Sequence, residues 1–242
     1  TAQQYFVQVK AVYKYFEIEI GDLTKPNRRS FNTPGEPLFD ELPTHEEIAK
    51  VMHVSPLWFQ AVLVFMTSSG CARKETLSIT VGDFLKATYP FHHKKDILEA
   101  LHILKNLDDV IPTFKLKRKK TNKYYTTYSS PESVIAINSY LLSRKDNFTE
   151  DSRLFKLHKD YLMQRFIEIN NELNLGTVGD NNYNRFRSHM LRKFHASALY
   201  NDGMSLDKVN DLQGKAKNKT DASYFMTNPD DLKYEYIEHL SA

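Results

Sequence analysis

Four side chains that could act on a phosphate-bearing partner lie close together in the last third of the chain. His189 and Arg192 sit in Ser188-His189-Met190-Leu191-Arg192-Lys193-Phe194, Lys215 ends Leu212-Gln213-Gly214-Lys215, and Tyr224 lies in Thr220-Asp221-Ala222-Ser223-Tyr224-Phe225. A spacing of three puts His189 and Arg192 on one helix face. Upstream, Lys115, Lys117, Arg118, Lys119, Lys120 and Lys123 crowd into nine residues, and Lys217 and Lys219 follow Lys215. Such clusters neutralise phosphates and release counterions, although a solvated basic hairpin has the same composition. Taken singly, a histidine on a helix is usually structural, and a tyrosine near a helix end is usually core. The joint spacing, 36 positions from 189 to 224, is what sets these residues apart.

Other chemistries find no support in the residues. Gly214-Lys215 is followed by Ala216 and lacks the upstream glycine of a phosphate-binding P-loop. There is no His-Glu-x-x-His, the nine histidines show no zinc-ligand spacing, and no nucleophile elbow is present. His92-His93 reads as a surface turn. Cys71 is the only cysteine, which leaves no disulfide framework and no cysteine-based zinc site. No metal or other cofactor is expected.

At 242 residues, 41% hydrophobic and 12% aromatic, the chain is long and apolar enough for a real core, in one large or two small domains. The net charge of +3 permits nucleic-acid binding without arguing for it. The longest apolar run, about Ala61–Met66, is far short of the roughly 20 residues of a membrane span. Thr1-Ala2-Gln3-Gln4 has none of the marks of a signal peptide. The expectation is a cytoplasmic protein with no membrane partner.

The elements that must position these residues are mostly helical. Tyr5, Val9, Val12 and Phe16 recur at helical spacing, so residues 2–18 read as an amphipathic helix. Residues 21–42, with Pro26, Pro34, Gly35 and Pro37, read as an extended linker. Thr44 with Glu47 forms a capping box, and Ser55-Pro56 starts a core helix over Leu57–Met66 with proline at its first position. Ile97–Leu107 is a further helix. Alternation through Phe114, Leu116 and Arg118, a polar turn at Thr121-Asn122 and β-prone Tyr124–Tyr128 predict a hairpin with a basic first strand. Ser130-Pro131 opens a helix to about Ser143. Helices near 159–174, 184–201, 205–213 and 230–240 complete a mainly α domain with a small antiparallel β-sheet, an α+β fold.

The spacing of His189, Arg192, Gly203, Lys215 and Tyr224 resembles that of the tyrosine recombinases, or phage integrases. These carry a His-x-x-Arg helix, a Leu-Gly-His segment and then a tyrosine nucleophile. Ser68-Ser69-Gly70 with Glu75-Thr76-Leu77-Ser78-Ile79-Thr80 is similar to the segment bearing the family's first arginine. Lys119-Lys120-Thr121 is similar to its β-hairpin lysine. The resemblance implies the catalytic fold of the DNA breaking-rejoining enzymes. It also implies a domain plan of 1–20 as the terminal helix of a core-binding domain, 21–42 as linker and 43–242 as catalytic domain.

It further implies that Tyr224 attacks a DNA phosphodiester to give a 3′-phosphotyrosine, without metal or ATP. Arg192 stabilises the pentacoordinate phosphate, Lys120 protonates the leaving 5′-oxygen, His189 acts as base or phosphate donor, and Lys215 donates to a phosphate oxygen. Lys117, Arg118, Lys119, Lys123 and Lys217 are expected on the DNA backbone. The partner implied is double-stranded DNA at attachment sites, bound by a homotetramer in the integration or excision of a mobile element.

Two positions depart from the family. Lysine replaces the usual histidine or tryptophan at 215. The first arginine falls on Ala72, one place before Arg73; Arg73 or Arg118 takes its role, or the alanine is itself a change that traps a complex. Two other readings stand beside the recombinase: a catalytically impaired DNA-binding protein of the same fold, and a type IB topoisomerase-like nicking-closing enzyme. For the C-terminal stripe Leu232, Tyr236 and Leu240, docking on a neighbouring protomer and packing within the chain are both open.

Overall fold

The computed structural model describes residues 2–19, 21, 38–179, 182–215 and 227–240. It divides into two units, residues 1–36 with 179–181, and residues 37–178 with 182–242. In the first, α1 (Ala2–Tyr15) is the amphipathic helix expected from its spacing. Its stripe is exposed at Tyr5, Val9, Val12 and Phe16. Most of the linker, residues 22–37, lies outside the described residues; at its end Phe39–Glu41 turn as a short 3-10 helix rather than remaining extended.

The second unit is organised around α3 (Leu57–Ser69), whose sequence is apolar on nearly every face. A helix of that kind belongs in an interior, and Phe59, Val62, Leu63, Phe65 and Met66 are all fully buried. Pro56 is its N-cap rather than its first helical residue. Before it, α2 (His45–His53) begins with the capping box read from the sequence: Thr44 Oγ1 accepts from Glu47 N, and Glu47 Oε2 accepts from Thr44 N at 2.8 Å. Gly70 ends α3 at φ +61, and a Cβ there would lie 2.5 Å from His195 Nδ1, so only glycine fits.

The chain then runs through the four-residue α4 (Arg73–Thr76), α5 (Val81–His92) and α6 (Ile97–Leu104). Helix α5 has no counterpart in the sequence reading, although Thr80 and Asp83 form a capping box. Pro90, which stands in its last turn, masks the pattern. His92 is consequently not a surface turn. It ends α5 buried, with Nε2 at 3.2 Å from Leu85 O and Nδ1 accepting from Lys94 N, and burial lowers its pKa.

Strands β1 (Thr113–Lys117) and β2 (Tyr124–Tyr128) form the predicted hairpin, with Lys117 opposite Tyr124 at its turn end. Phe114 enters the core against Phe65. Helices α7 (Pro131–Ser143) and α8 (Lys159–Glu172) follow. A second, separate antiparallel ladder, β3 (Thr177–Val178) with β4 (Tyr183–Asn184), is present besides the one sheet that was expected. It takes residue 184 out of the expected helix, so α9 is Ser188–Asn201 rather than 184–201. Asn170 on α8 fixes this corner: its Nδ2 donates to Gly176 O at 3.0 Å and its Oδ1 accepts from Phe186 N at 2.8 Å.

After α10 (Leu206–Leu212) the next described element is α11 (Pro229–Glu238). Leu232 and Tyr236 of its stripe are buried within the chain beside Tyr128, Leu199 and Leu212. Tyr236 Oη donates to Ser68 O at 2.9 Å and Tyr128 Oη to Pro229 O. The stripe therefore packs within its own chain. Among the described residues no helix is long and apolar enough to cross a membrane.

Candidate active site

Three segments distant in sequence meet at a cleft of about 880 Å³. The α4 segment contributes Ala72, Arg73 and Lys74, the hairpin tip contributes Arg118 and Lys120, and the start of α9 contributes Arg187, His189 and Arg192. Met163 and Ile167 of α8 make an apolar wall.

Arg192 is the most constrained of these groups. Helix α9 sends it inward, where it is 7% exposed. Its Nη1 donates to Gly70 O, and its Nη2 donates to Gln213 O at 2.7 Å. Gln213 Nε2 returns a bond to Arg192 O at 2.9 Å and meets His195 Nδ1 at 3.2 Å. Two of five guanidinium donors are thus held by backbone carbonyls, and the plane of the group is fixed. Burial, then the neighbouring Arg118 charge, lowers its pKa to about 10, which leaves it cationic at neutral pH. His195, one turn further on, is buried and held neutral by burial and the Arg192 charge. Cys71 packs beneath, its Sγ 3.5 Å from Tyr125 Oη; burial raises both pKa values.

Glu75 ties the hairpin to α4. It is 3% exposed, pairs with Arg118 at 3.2 Å through Oε2, and accepts from Lys119 N at 2.9 Å through Oε1. Strand β1 stops at Lys117, so Arg118 and Lys120 lie in the turn rather than on one strand face, yet both line the cleft. The tip closes through Arg118 N to Lys123 O at 2.7 Å and Asn122 N to Arg118 O at 2.8 Å, with Asn122 at φ +59.

Lys215 follows Gly214, which sits at φ +59 against the Tyr125 ring. Its pKa is lowered by desolvation first, then by Arg192 and Arg118. Arg192 thus feels the charge of Arg118, and Lys215 feels both, with Glu75 the carboxylate beside Arg192. Like charges so arranged are poised for an anion.

The predicted residues divide accordingly. Arg73, Arg118, Lys120, His189 and Arg192 share the cleft, and Lys215 joins them electrostatically. Lys119 binds Glu75 through its backbone, Lys123 serves the turn through its carbonyl, and Lys117 lies 5.1 Å over the Tyr124 ring; none of the three lines the cleft. Tyr224 and Lys217 lie outside the described residues. Arg187 was missed. It stands two places before His189 at the N-cap of α9, a position the expected helix start at 184 concealed.

The model of the Phage integrase family matches residues 96–230. No curated protein matches the sequence. Among solved structures, the chain is similar to XerH site-specific recombinase bound to difH substrate in a pre-cleavage complex. The TM-score is 0.56 at 18% identity, over 95% of this chain and 63% of that one. A post-cleavage XerH complex with palindromic difH gives 0.56 at 19%, over 89% and 55%. The Tn1549 transposon integrase with transposon right end DNA gives 0.52 at 14%, over 96% and 76%. The chain thus spans less than two thirds of the XerH chains it matches, and at these identities the likeness is one of fold. The family match covers more than half of the 242 residues, and its range takes in the hairpin, the His189–Arg192 helix and Tyr224. The chain belongs to the phage integrase family, the tyrosine recombinases, and has their mainly helical catalytic fold with small antiparallel sheets.

Proposed function

We propose that the protein cleaves and rejoins DNA at specific sites through a 3′-phosphotyrosine intermediate, serving a mobile element. The observation that carries this reading is the convergence of Arg73, Arg118, Lys120, His189 and Arg192 on one cleft. The Tyr224 phenol forms a bond to a backbone phosphorus, its proton passing to His189. The bond to the 5′-oxygen breaks, and that oxygen takes a proton from Lys120. Arg192, pre-oriented by Gly70 O and Gln213 O, faces charge that grows on the non-bridging oxygens, where a fixed donor supplies about 2.7–4 kcal/mol. Reversal with a different 5′-hydroxyl reseals the strand.

Chain connectivity supports the role of Tyr224. The stretch holding it leaves α10 at Lys215, whose N donates to Asn210 O at 2.9 Å, and returns at Thr227, whose Oγ1 donates to Asp211. Both ends are tied to the helix beside Arg192. Of the candidates for the first arginine, Arg73 opens α4 with its side chain in the cleft, whereas Arg118 is committed to Glu75. We assign the role to Arg73.

In this reading α1 closes a core-binding domain, 21–42 is the linker and 43–242 the catalytic domain. Four protomers act on two duplexes, and the enzyme works on the nucleoid. The test uses nicked duplexes with randomised arms, from which the severed 5′ piece diffuses away. Wild-type protein accumulates a denaturation-resistant adduct, and Tyr224→Phe does not. An equal yield from both proteins rejects the mechanism. Ala72 in the cleft favours a second reading, a DNA-binding protein without cleavage. For that protein the duplexes are bound and no adduct forms.

A further inference from the structure

Arg187 takes no part in the chemistry above, yet it occupies the same cleft as His189 and Arg192. Its backbone is extended, φ −153 and ψ 158, as the N-cap of α9. The side chain lies over the Tyr183 ring of β4 at 4.5 Å. Its Nε is buried without a hydrogen-bond partner. Burial lowers its pKa, with Tyr183 acting in the opposite sense and no carboxylate among the described residues contributing. A half-buried guanidinium without a counter-anion is costly to keep. Helix α9 also begins with no side-chain cap and no acidic residue in its first turn, so its positive end adds to the same field.

We infer that Arg187 binds a DNA backbone phosphate adjacent to the one being cleaved, held in place by its stack on Tyr183. The inference rests on the cleft being the DNA site proposed above. The charge of Arg118 acts on Arg192, and the charges of both act on Lys215, whereas none of the three contributes at Arg187. Arg187 therefore stands apart from the trio, which suits a neighbouring phosphate. The flat guanidinium on an aromatic face keeps its edge free for two phosphate oxygens. Asn170, through Phe186 N, and Arg185, through Glu47 at 2.6 Å and the carbonyls of Glu41 and Leu42, fix the strand that carries it.

The experiment measures binding of the full chain to a labelled mixed-sequence duplex across a salt series. Arg187→Gln binds about tenfold more weakly, and its slope of log K against log salt is shallower by about 0.9, one phosphate contact. Arg187→Lys keeps the slope. Tyr183→Leu weakens wild-type binding but has no further effect on Arg187→Gln. In the wild type, mass spectrometry after phenylglyoxal treatment shows Arg187 protected by the duplex, a readout independent of any variant's folding. Unchanged slope in Arg187→Gln, or equal labelling of Arg187 with and without DNA, overturns the inference. Failure of the wild type to bind the duplex overturns the DNA reading instead.

Discussion

Arg192 and Gln213 are joined in both directions. The guanidinium donates to the Gln213 carbonyl at 2.7 Å, and the Gln213 amide donates to the Arg192 carbonyl at 2.9 Å. The pair locks α9 to the end of α10, and the same amide touches His195. The helix that carries the candidate catalytic arginine is thus fastened to the segment that leads to Tyr224.

Replacing Gln213 with leucine leaves buried acceptors unmet, at a cost of about 1–3 kcal/mol. The larger effect falls on adduct formation, which drops about a hundredfold because small misplacements of a phosphate ligand are severe. Denaturant midpoints and single-turnover adduct rates measure the two losses. Wild-type rates in Gln213→Leu would show that Arg192 needs no such support.

Glu75 should couple energetically to Arg118, since the pair is largely buried and the carboxylate also holds Lys119 N. Glu75→Gln and Arg118→Ala each destabilise the fold. In a double-mutant cycle their coupling is about 0.5–3 kcal/mol, the scale for two members of one salt-bridge network. Simple additivity of the two changes would mean that the hairpin is tethered by other contacts.

His195 gives folding stability a pH dependence of known sign. Burial, then the Arg192 charge, lowers its pKa from 6.5 to about 3. Above pH 6.5 neither folded nor unfolded chain protonates it, so its contribution is fully present. Below that, the unfolded chain binds a proton that the folded one refuses, and stability falls by at most about 1.4 kcal/mol per pH unit until about pH 3. Urea denaturation over this window should show a shallower decline for His195→Gln than for the wild type. Parallel curves would refute a neutral, buried imidazole.

Under the proposed mechanism, Lys215 should set an alkaline limit on activity. Desolvation and the charges of Arg192 and Arg118 lower its pKa from 10.5, so its proton leaves as pH rises toward the ordinary lysine range. Adduct formation should decline on that limb, and Lys215→Arg should move the decline to higher pH because guanidinium keeps its proton. A limb that stays in place in Lys215→Arg would remove Lys215 from the phosphate.

Local patterns were legible in the residues themselves. The capping box at Thr44, the Ser130-Pro131 start and the hairpin alternation around Phe114 and Leu116 depend on neighbours a few positions away, and each element formed where those neighbours predicted. The spacing of His189 and Arg192 was equally legible, because a helical turn converts sequence interval into direction.

What the folded chain decided depends on partners remote in sequence. Glu75 meets Arg118, Gly70 makes room for His195, and Arg192 finds Gln213 only once α3, α9 and the hairpin have packed. The burial of His92 and the whole of α5 were hidden because Pro90 looks like a helix stop, whereas core packing tolerates it in a final turn. Arg187 entered the cleft because β4 claims residues 183–184 and delays α9 to Ser188. No local interval encodes that delay. It follows from Asn170 and Glu47 satisfying the backbone and side chain of the connecting strand, and buried polar groups must be satisfied wherever the fold brings their partners.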